Sequence, residues 1–386
     1  MHDSQAFNFD LAVERRGTHS VKWDSVAAVD LPMWVADMDF AAPPTVIDAL
    51  AERVSHGVFG YPYHGEEYLD AVVAWESTRH RRSLDPSAYI DAPSVLAGVR
   101  SAIRCLSEPG DGIVIQPPVY SPFFSVIQGL GRVVRENRLV RRDGRYEMDL
   151  AGFEKLAREP RTRAMLLCSP HNPVGRVWSE AELRSLAEIC QANDITVISD
   201  EIHASLIMPG TTFRSFDSLG DGIEQRCVTC ISPSKTFNIA GLLSSHVVAS
   251  DDDIRNAMKS DLAVNCGHVG NVLALVAAET AYRTGHSWLD ALMEYLSGNY
   301  AFLADFLACN APAVGVTRLE GTYLAWLDLS KAVEAPEDAP RLLRRRHGLV
   351  VSPGADFGDP HFIRVNFGCP RATLQEGLEK ILDFLR

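Results

Sequence analysis

The sequence predicts an α/β protein with a large, mostly parallel sheet domain and a smaller α+β domain. Three observations predict it. Short apolar runs ending in polar or proline-containing loops alternate with helical patterns, as in βαβ units. At 386 residues, 46% of them hydrophobic, the chain exceeds what one core usually serves. Near residue 286 the alternation gives way to a long helix and then strand-like segments. The expected division is 46–285 for the large domain, with 1–45 and 286–386 forming the small one.

Residues 1–45 have little periodicity until the helical pattern PPTVIDALAERV, and are expected to pack against the small domain. LAGVRSAIRCL at 96–106 reads as a helix with its start near Val99 and Arg100. The clearest strands are GIVIQPP at 112–118, RAMLLCSP at 163–170, ITVISDE at 195–201 and CVTCISPS at 227–234. Between the second and third of these, SEAELRSLAEIC is a helix: Ser179 and Glu182 form a capping box, and Leu183, Leu186, Ala187 and Cys190 share one face. A helix over 286–310 opens the final region. It leads to strand-like VTRLEGTYLAWLDL, a helix near RLLRRRHG, and strands in LVVSPG and FIRVNFG. The last helix, TLQEGLEKILDFLR, carries a second capping-box pattern in Thr373 and Glu376.

With 37 basic against 50 acidic side chains, the formal charge of −13 argues against nucleic acid and anionic membranes as partners and for small molecules. No run approaches the ~20 apolar residues of a membrane span, and MHDSQAFNFDLAVERR lacks the pattern of a signal peptide. A cytoplasmic protein is expected. The eight scattered cysteines suit reduced core thiols. Cys227 and Cys230 form a CxxC without the other half of a zinc site, so no metal is expected. GLGRVV at 129–134 leads from a helix into a strand and lacks the third glycine of a dinucleotide fingerprint. The arginines between 132 and 145 alternate with apolar residues, as on a strand with one solvated face.

In open α/β sheets, ligands bind beyond the carboxyl ends of the strands. The loops there hold Tyr120, Asn172, Asp200 and Lys235. A pyridoxal phosphate site needs an amine for the aldehyde, a carboxylate for the pyridine nitrogen, a donor for the ring oxygen, a flat surface and phosphate ligands. Lys235, Asp200, Asn172 and Tyr120 answer the first four in turn. Ser232, Ser234 and the backbone amides of Val99 and Arg100 are candidates for the phosphate.

The order NPVG, SDEIH, SPSK resembles the fold-type I pyridoxal phosphate enzymes related to aspartate aminotransferase. PMWVADMDF at 32–40, GYPY at 60–63, SPSKTFNIAGL, EGTYLAWLDL at 320–329 and FIRVNFGCPR at 362–371 look like the cystathionine β-lyase and cysteine-S-conjugate β-lyase branch, MalY/PatB. The resemblance implies an aspartate aminotransferase-like fold. Lys235 matches the cofactor-bearing lysine, Asp200 the pyridinium partner, Asn172 the ring-oxygen ligand and Tyr120 the stacking tyrosine; Ile202 should press on the other ring face. Tyr61 matches a residue that reaches the neighbouring subunit's phosphate in a homodimer, and Arg364 the clamp on the substrate α-carboxylate. Trp34 and Tyr323 are candidates for the thiol side.

Two positions depart from related aminotransferases: His203 stands where a tyrosine is common, and Leu243 where a phosphate-binding arginine often stands. Arg100 and Tyr61 are the expected substitutes for that arginine. The implied reaction is β-elimination from L-cystathionine or a related L-cysteine S-conjugate, giving pyruvate, ammonia and a thiol, which is homocysteine from cystathionine. An aminotransferase on the same scaffold and a cofactor-binding regulatory protein with vestigial catalysis are the alternatives.

Overall fold

The computed structural model describes residues 7–83, 85–267 and 270–386. Its main sheet runs, edge to edge, Tyr89–Ala92, Ser245–Ala249, Cys227–Ile231, Thr196–Asp200, Thr162–Cys168, Gly112–Ile115, Val133–Glu136. Only Ser245–Ala249 runs antiparallel to its neighbours; the other adjacent pairs are parallel. The near-continuous apolar runs follow from burial on both faces. Met165, Leu167 and Val197 point into one core, whereas Ala164, Leu166 and Ile198 point into the other. The CxxC pair is divided by the same parity, with Cys227 in the first core and Cys230 in the second.

A smaller sheet is ordered Gly315–Val316, Leu324–Asp328, Phe362–Asn366, Ser352–Pro353. Leu31–Pro32 pairs in parallel with Leu349–Val350, joining segments far apart in the sequence. The helix Glu180–Ala192 has the expected capping box at Ser179 and Glu182. No helix among the described residues is long and apolar enough to cross a membrane.

Three local expectations are corrected. The helix read from LAGVRSAIRCL is Val95–Leu106, because the Ser94 hydroxyl accepts from the Ala97 amide and starts it a turn earlier. The last helix is Arg371–Leu385, capped at Pro370, so Thr373 lies inside it and makes no capping box; the Arg371 amide instead donates to the Tyr295 hydroxyl at 2.7 Å. VTRLEGTYLAWLDL is not one strand. Residues 317–323 leave the ladder, with Thr322 left-handed at φ 73° and Glu320 turned to Arg176 at 2.7 Å.

Candidate active site

The carboxyl edge of the parallel strands delivers the site. Asp200 ends its strand in register with Cys168 on one side and Cys230 on the other. Lys235 follows the strand Cys227–Ile231 through the short segment Ser232-Pro233-Ser234. One cavity is lined by Tyr120, Asn172, Asp200, Ile202, His203 and Lys235, with Ser232 and Ser234 toward the same loop. Lys235 donates to the Ala36 carbonyl, which also accepts from the Tyr323 hydroxyl at 2.9 Å.

Burial without full pairing sets the charges. Asp200 takes one hydrogen bond, from the Ile202 amide at 3.1 Å, and burial raises its carboxyl to about 6. Burial lowers the Lys235 amine to about 8, with Arg364 acting in the same sense and Asp37 and Asp200 opposing. Such an amine is a competent base near neutral pH. Burial, then Lys235 and Arg364, hold His203 near 3, so its imidazole is neutral; its Nδ1 has no partner among the described residues. The Tyr120 phenol is pushed up by burial and Asp200.

Arg364 is buried on the small sheet's strand Phe362–Asn366. Its guanidinium donates to Asn172 Oδ1 at 3.1 Å, the Trp34 carbonyl at 2.7 Å and Ser352 Oγ at 3.1 Å, and lies 4.7 Å from the Phe357 ring centroid. All of these oxygens are neutral. Burial draws Arg364 down to about 10, and no carboxylate among the described residues forms an ion pair with it.

At the other end of the cavity stand Ser94, Val95 and Leu96, at the start of the helix Val95–Leu106. The Ser232 hydroxyl is 2.6 Å from the Ser244 carbonyl and 2.8 Å from the Ser234 hydroxyl, so it fixes the loop and leaves Ser234 the freer donor. Leu243 lines this end in a left-handed conformation, φ 59°.

Not every expected residue is gathered there. Val99 is fully buried inside the helix and Arg100 is exposed, which corrects both assignments: the amides without an intrahelical acceptor begin at Val95 and Leu96. Trp34 meets the site through its carbonyl, while its indole donates to the Lys22 carbonyl at 3.3 Å. Tyr61 is 89% exposed and does not line the cavity of its own chain. Ser94 is an addition; a serine before an apolar helical run is a readable cap signal. Ala36 had no readable signal, since it acts through its backbone.

Comparison with known proteins follows the same lines. The family profile for aminotransferase class I and II matches residues 32–381. The chain belongs to that family. Cystathionine beta-lyase PatB of Bacillus subtilis (strain 168) is 39% identical over 381 residues, 97% of this chain and 98% of PatB. Protein MalY of Escherichia coli (strain K12) is 35% identical over 98% of this chain and 99% of its own. The structure of cystalysin from Treponema denticola, which contains a pyridoxal 5'-phosphate cofactor, matches with a TM-score of 0.95 at 33% identity, covering 98% of each chain.

The residues present in this family member fit pyridoxal phosphate. Asp200 is a buried carboxylate with one backbone donor, short of the cationic partner that a ring nitrogen would supply. The imidazole of His203 is buried with its Nδ1 unpartnered. A helix start beside Ser234 suits a phosphate.

Proposed function

We propose that the chain is a pyridoxal phosphate-dependent carbon–sulfur β-lyase that cleaves L-cystathionine or a related L-cysteine S-conjugate to pyruvate, ammonia and a thiol. The observation that carries it is the meeting of a lysine amine drawn down to about 8, a buried carboxylate and a buried arginine without a carboxylate partner around one site. The choice of β-elimination over transamination is supported by the full-length likeness to PatB and to cystalysin.

Lys235 would carry the cofactor, Asp200 would pair with its ring nitrogen, and Asn172 and His203 would face the ring oxygen. Tyr120 and Ile202 would flank the ring, and Ser234 with the Val95 and Leu96 amides would hold the phosphate. Bound there, pyridoxal phosphate supplies an electron sink that acidifies the substrate's Cα–H. Arg364 takes the α-carboxylate with its planar fork, and Asn172 and Ser352 fix the plane of that fork. Lys235, neutral in part near pH 8, removes the Cα proton. A thiolate then leaves from Cβ, favoured by a thiol pKa of about 8.5.

We also propose a cytoplasmic homodimer with Tyr61 reaching the partner's phosphate. Its exposure, with that of Phe59 and Tyr63 beside it, supports this arrangement, and the eight free cysteines support the compartment. The division into 46–285 and 1–45 with 286–386 is supported by the pairing of Leu31–Pro32 with Leu349–Val350.

The test is to feed the purified holoenzyme L-cystathionine and follow pyruvate and free thiol, with and without a keto acid. Both products should form without the keto acid. Lys235→Ala should lower turnover by at least about 10³-fold while the far-UV spectrum is kept. Pyruvate release by that variant at the wild-type rate would falsify the assignment, and dependence on a keto acid would turn the reading to transamination.

A further inference from the structure

The loop 34–40 reaches the cavity at Ala36 and is held through several of its carbonyls, besides the ion pairs of Asp37 and Asp39 with Arg15 and Lys22. The Trp34 carbonyl accepts from Arg364 at 2.7 Å and Ser352 at 3.0 Å. Farther along, Asn238 donates to the Met38 and Phe40 carbonyls at 2.9 and 2.7 Å. Between these anchors, the Asn366 amide group donates to the Val35 and Asp37 carbonyls, each at 2.6 Å. Those two carbonyls flank Ala36, whose own carbonyl accepts from Lys235.

Asn366 is 1% exposed and has no unused polar group, since its Oδ1 accepts from the Gly368 amide at 2.8 Å. It lies two residues beyond Arg364 on the same strand, so both side chains face the loop. The fit is close: a Cβ on Gly368 would meet Met38 at 2.8 Å and Asn366 Oδ1 at 3.1 Å.

We propose that Asn366 is a positioning residue for the chemistry at Lys235: by gripping the carbonyls on either side of Ala36, it aims the Ala36 carbonyl at the lysine amine. A neutral amine has two N–H groups and one lone pair. Giving one N–H to a fixed acceptor confines the lone pair to a narrow range of directions, as a base must be aimed to take a proton. Because Arg364 is on the same strand, the base and the carboxylate clamp share one rigid frame. The inference rests on Lys235 being the cofactor-bearing amine.

The test compares Asn366→Ala with Asn238→Ala, which loosens the same loop away from Ala36. Asn366→Ala should lower kcat by about 10²-fold with little change in KM and a larger α-deuterium isotope effect on pyruvate release; Asn238→Ala should do much less. A second readout needs no substrate. The full-length chain, stripped of cofactor, is recombined with pyridoxal phosphate across pH, and the midpoint reports the amine, because only its neutral form attacks the aldehyde. Asp37, Asp200, His203, Tyr323 and Arg364 surround the amine in both chains, so loss of its aimed acceptor should move the midpoint down in Asn366→Ala. A wild-type kcat, or equal effects from both variants with an unmoved midpoint, overturns the proposal. Should the alanine variant not fold, Asn366→Asp keeps the size and the bond from Gly368 while losing both donors; it must show the same kcat loss, and a wild-type kcat there is equally fatal. Failure of the lysine assignment is distinguishable, because Lys235→Ala would then still turn over.

Discussion

Arg82 and Arg364 are both buried, yet the protein treats them in opposite ways. Arg82 meets Glu76 and Glu201 at 2.6 Å each and Asp217 at 2.9 Å, and these carboxylates hold its guanidinium well above the ordinary range despite burial. Arg364 has only neutral oxygens among the described residues, and burial draws it down to about 10. The two carboxylates adjacent in sequence differ in their partners, although burial raises both. Glu201 bonds Arg82, Ser199, Ser215 and the Phe216 amide, whereas Asp200 has one backbone donor. Charges that hold the fold together are bonded by the chain itself; charges at the proposed site are left partly unpaired, and the chain bears the desolvation penalty.

The largest effect that would break this contrast is on the saturated side. Arg82→Met leaves Glu76, Glu201 and Asp217 buried without their cation and should cost about 3–5 kcal/mol in urea unfolding of the holoenzyme. A loss below about 1 kcal/mol would mean that the cluster is no more structural than a surface pair.

On the unsaturated side the sign reverses. In the cofactor-stripped chain, the Asp200 carboxyl at about 6 lies above its ordinary 3.8, so the folded state holds that proton more tightly than the unfolded one. Its contribution to stability therefore falls as pH rises from about 4 through 6, by roughly 1.4 kcal/mol for each tenfold difference in proton affinity between the two states. Lys235 slopes the other way: lowered to about 8 from 10.5, it penalises the fold below 8, and the penalty is relieved as pH rises toward 10.5. Asp200→Asn should remove the share of the acid-side slope that Asp200 adds to that of Glu201 and stabilise the stripped chain at pH 7, while abolishing tight cofactor binding. Urea midpoints taken across pH check this, and an unchanged slope would show that Asp200 is paired after all.

The smallest effect sharpens the boundary of the site. Arg100→Ala should change stability by less than about 0.5 kcal/mol and leave cofactor affinity unaltered, because Arg100 is exposed on the second turn of its helix. Weakened cofactor binding by that variant, measured by equilibrium dialysis, would extend the site beyond the first turn.

Legibility in the sequence followed the kind of group involved. Lys235, Asp200, Asn172 and Tyr120 were readable as lining one cavity because each is a chemically distinctive side chain at the end of a strand or in the loop after one, where an α/β sheet places its ligands. The strands themselves were readable from their length and apolar content. Val99 and Arg100 were misplaced because the stronger start signal, Ser94, lies a turn upstream, and Thr373 because a proline cap precedes it. Ala36 and the Asn366 grip were illegible for a different reason. A carbonyl belongs to every residue alike, and which one faces a lysine is decided by contacts between residues 199 and more positions apart.

The parallel pairing of Leu31–Pro32 with Leu349–Val350 has a consequence for how the protein is made. The lysine and its carboxylate neighbour emerge from the ribosome before Ser352, Arg364 and Asn366, which grip the loop 34–40. A nascent chain halted before these residues carries the Lys235 amine without its anchored acceptor. The loop 34–40 therefore reaches its final place only after residue 366 has been made, about 130 positions after the lysine it faces.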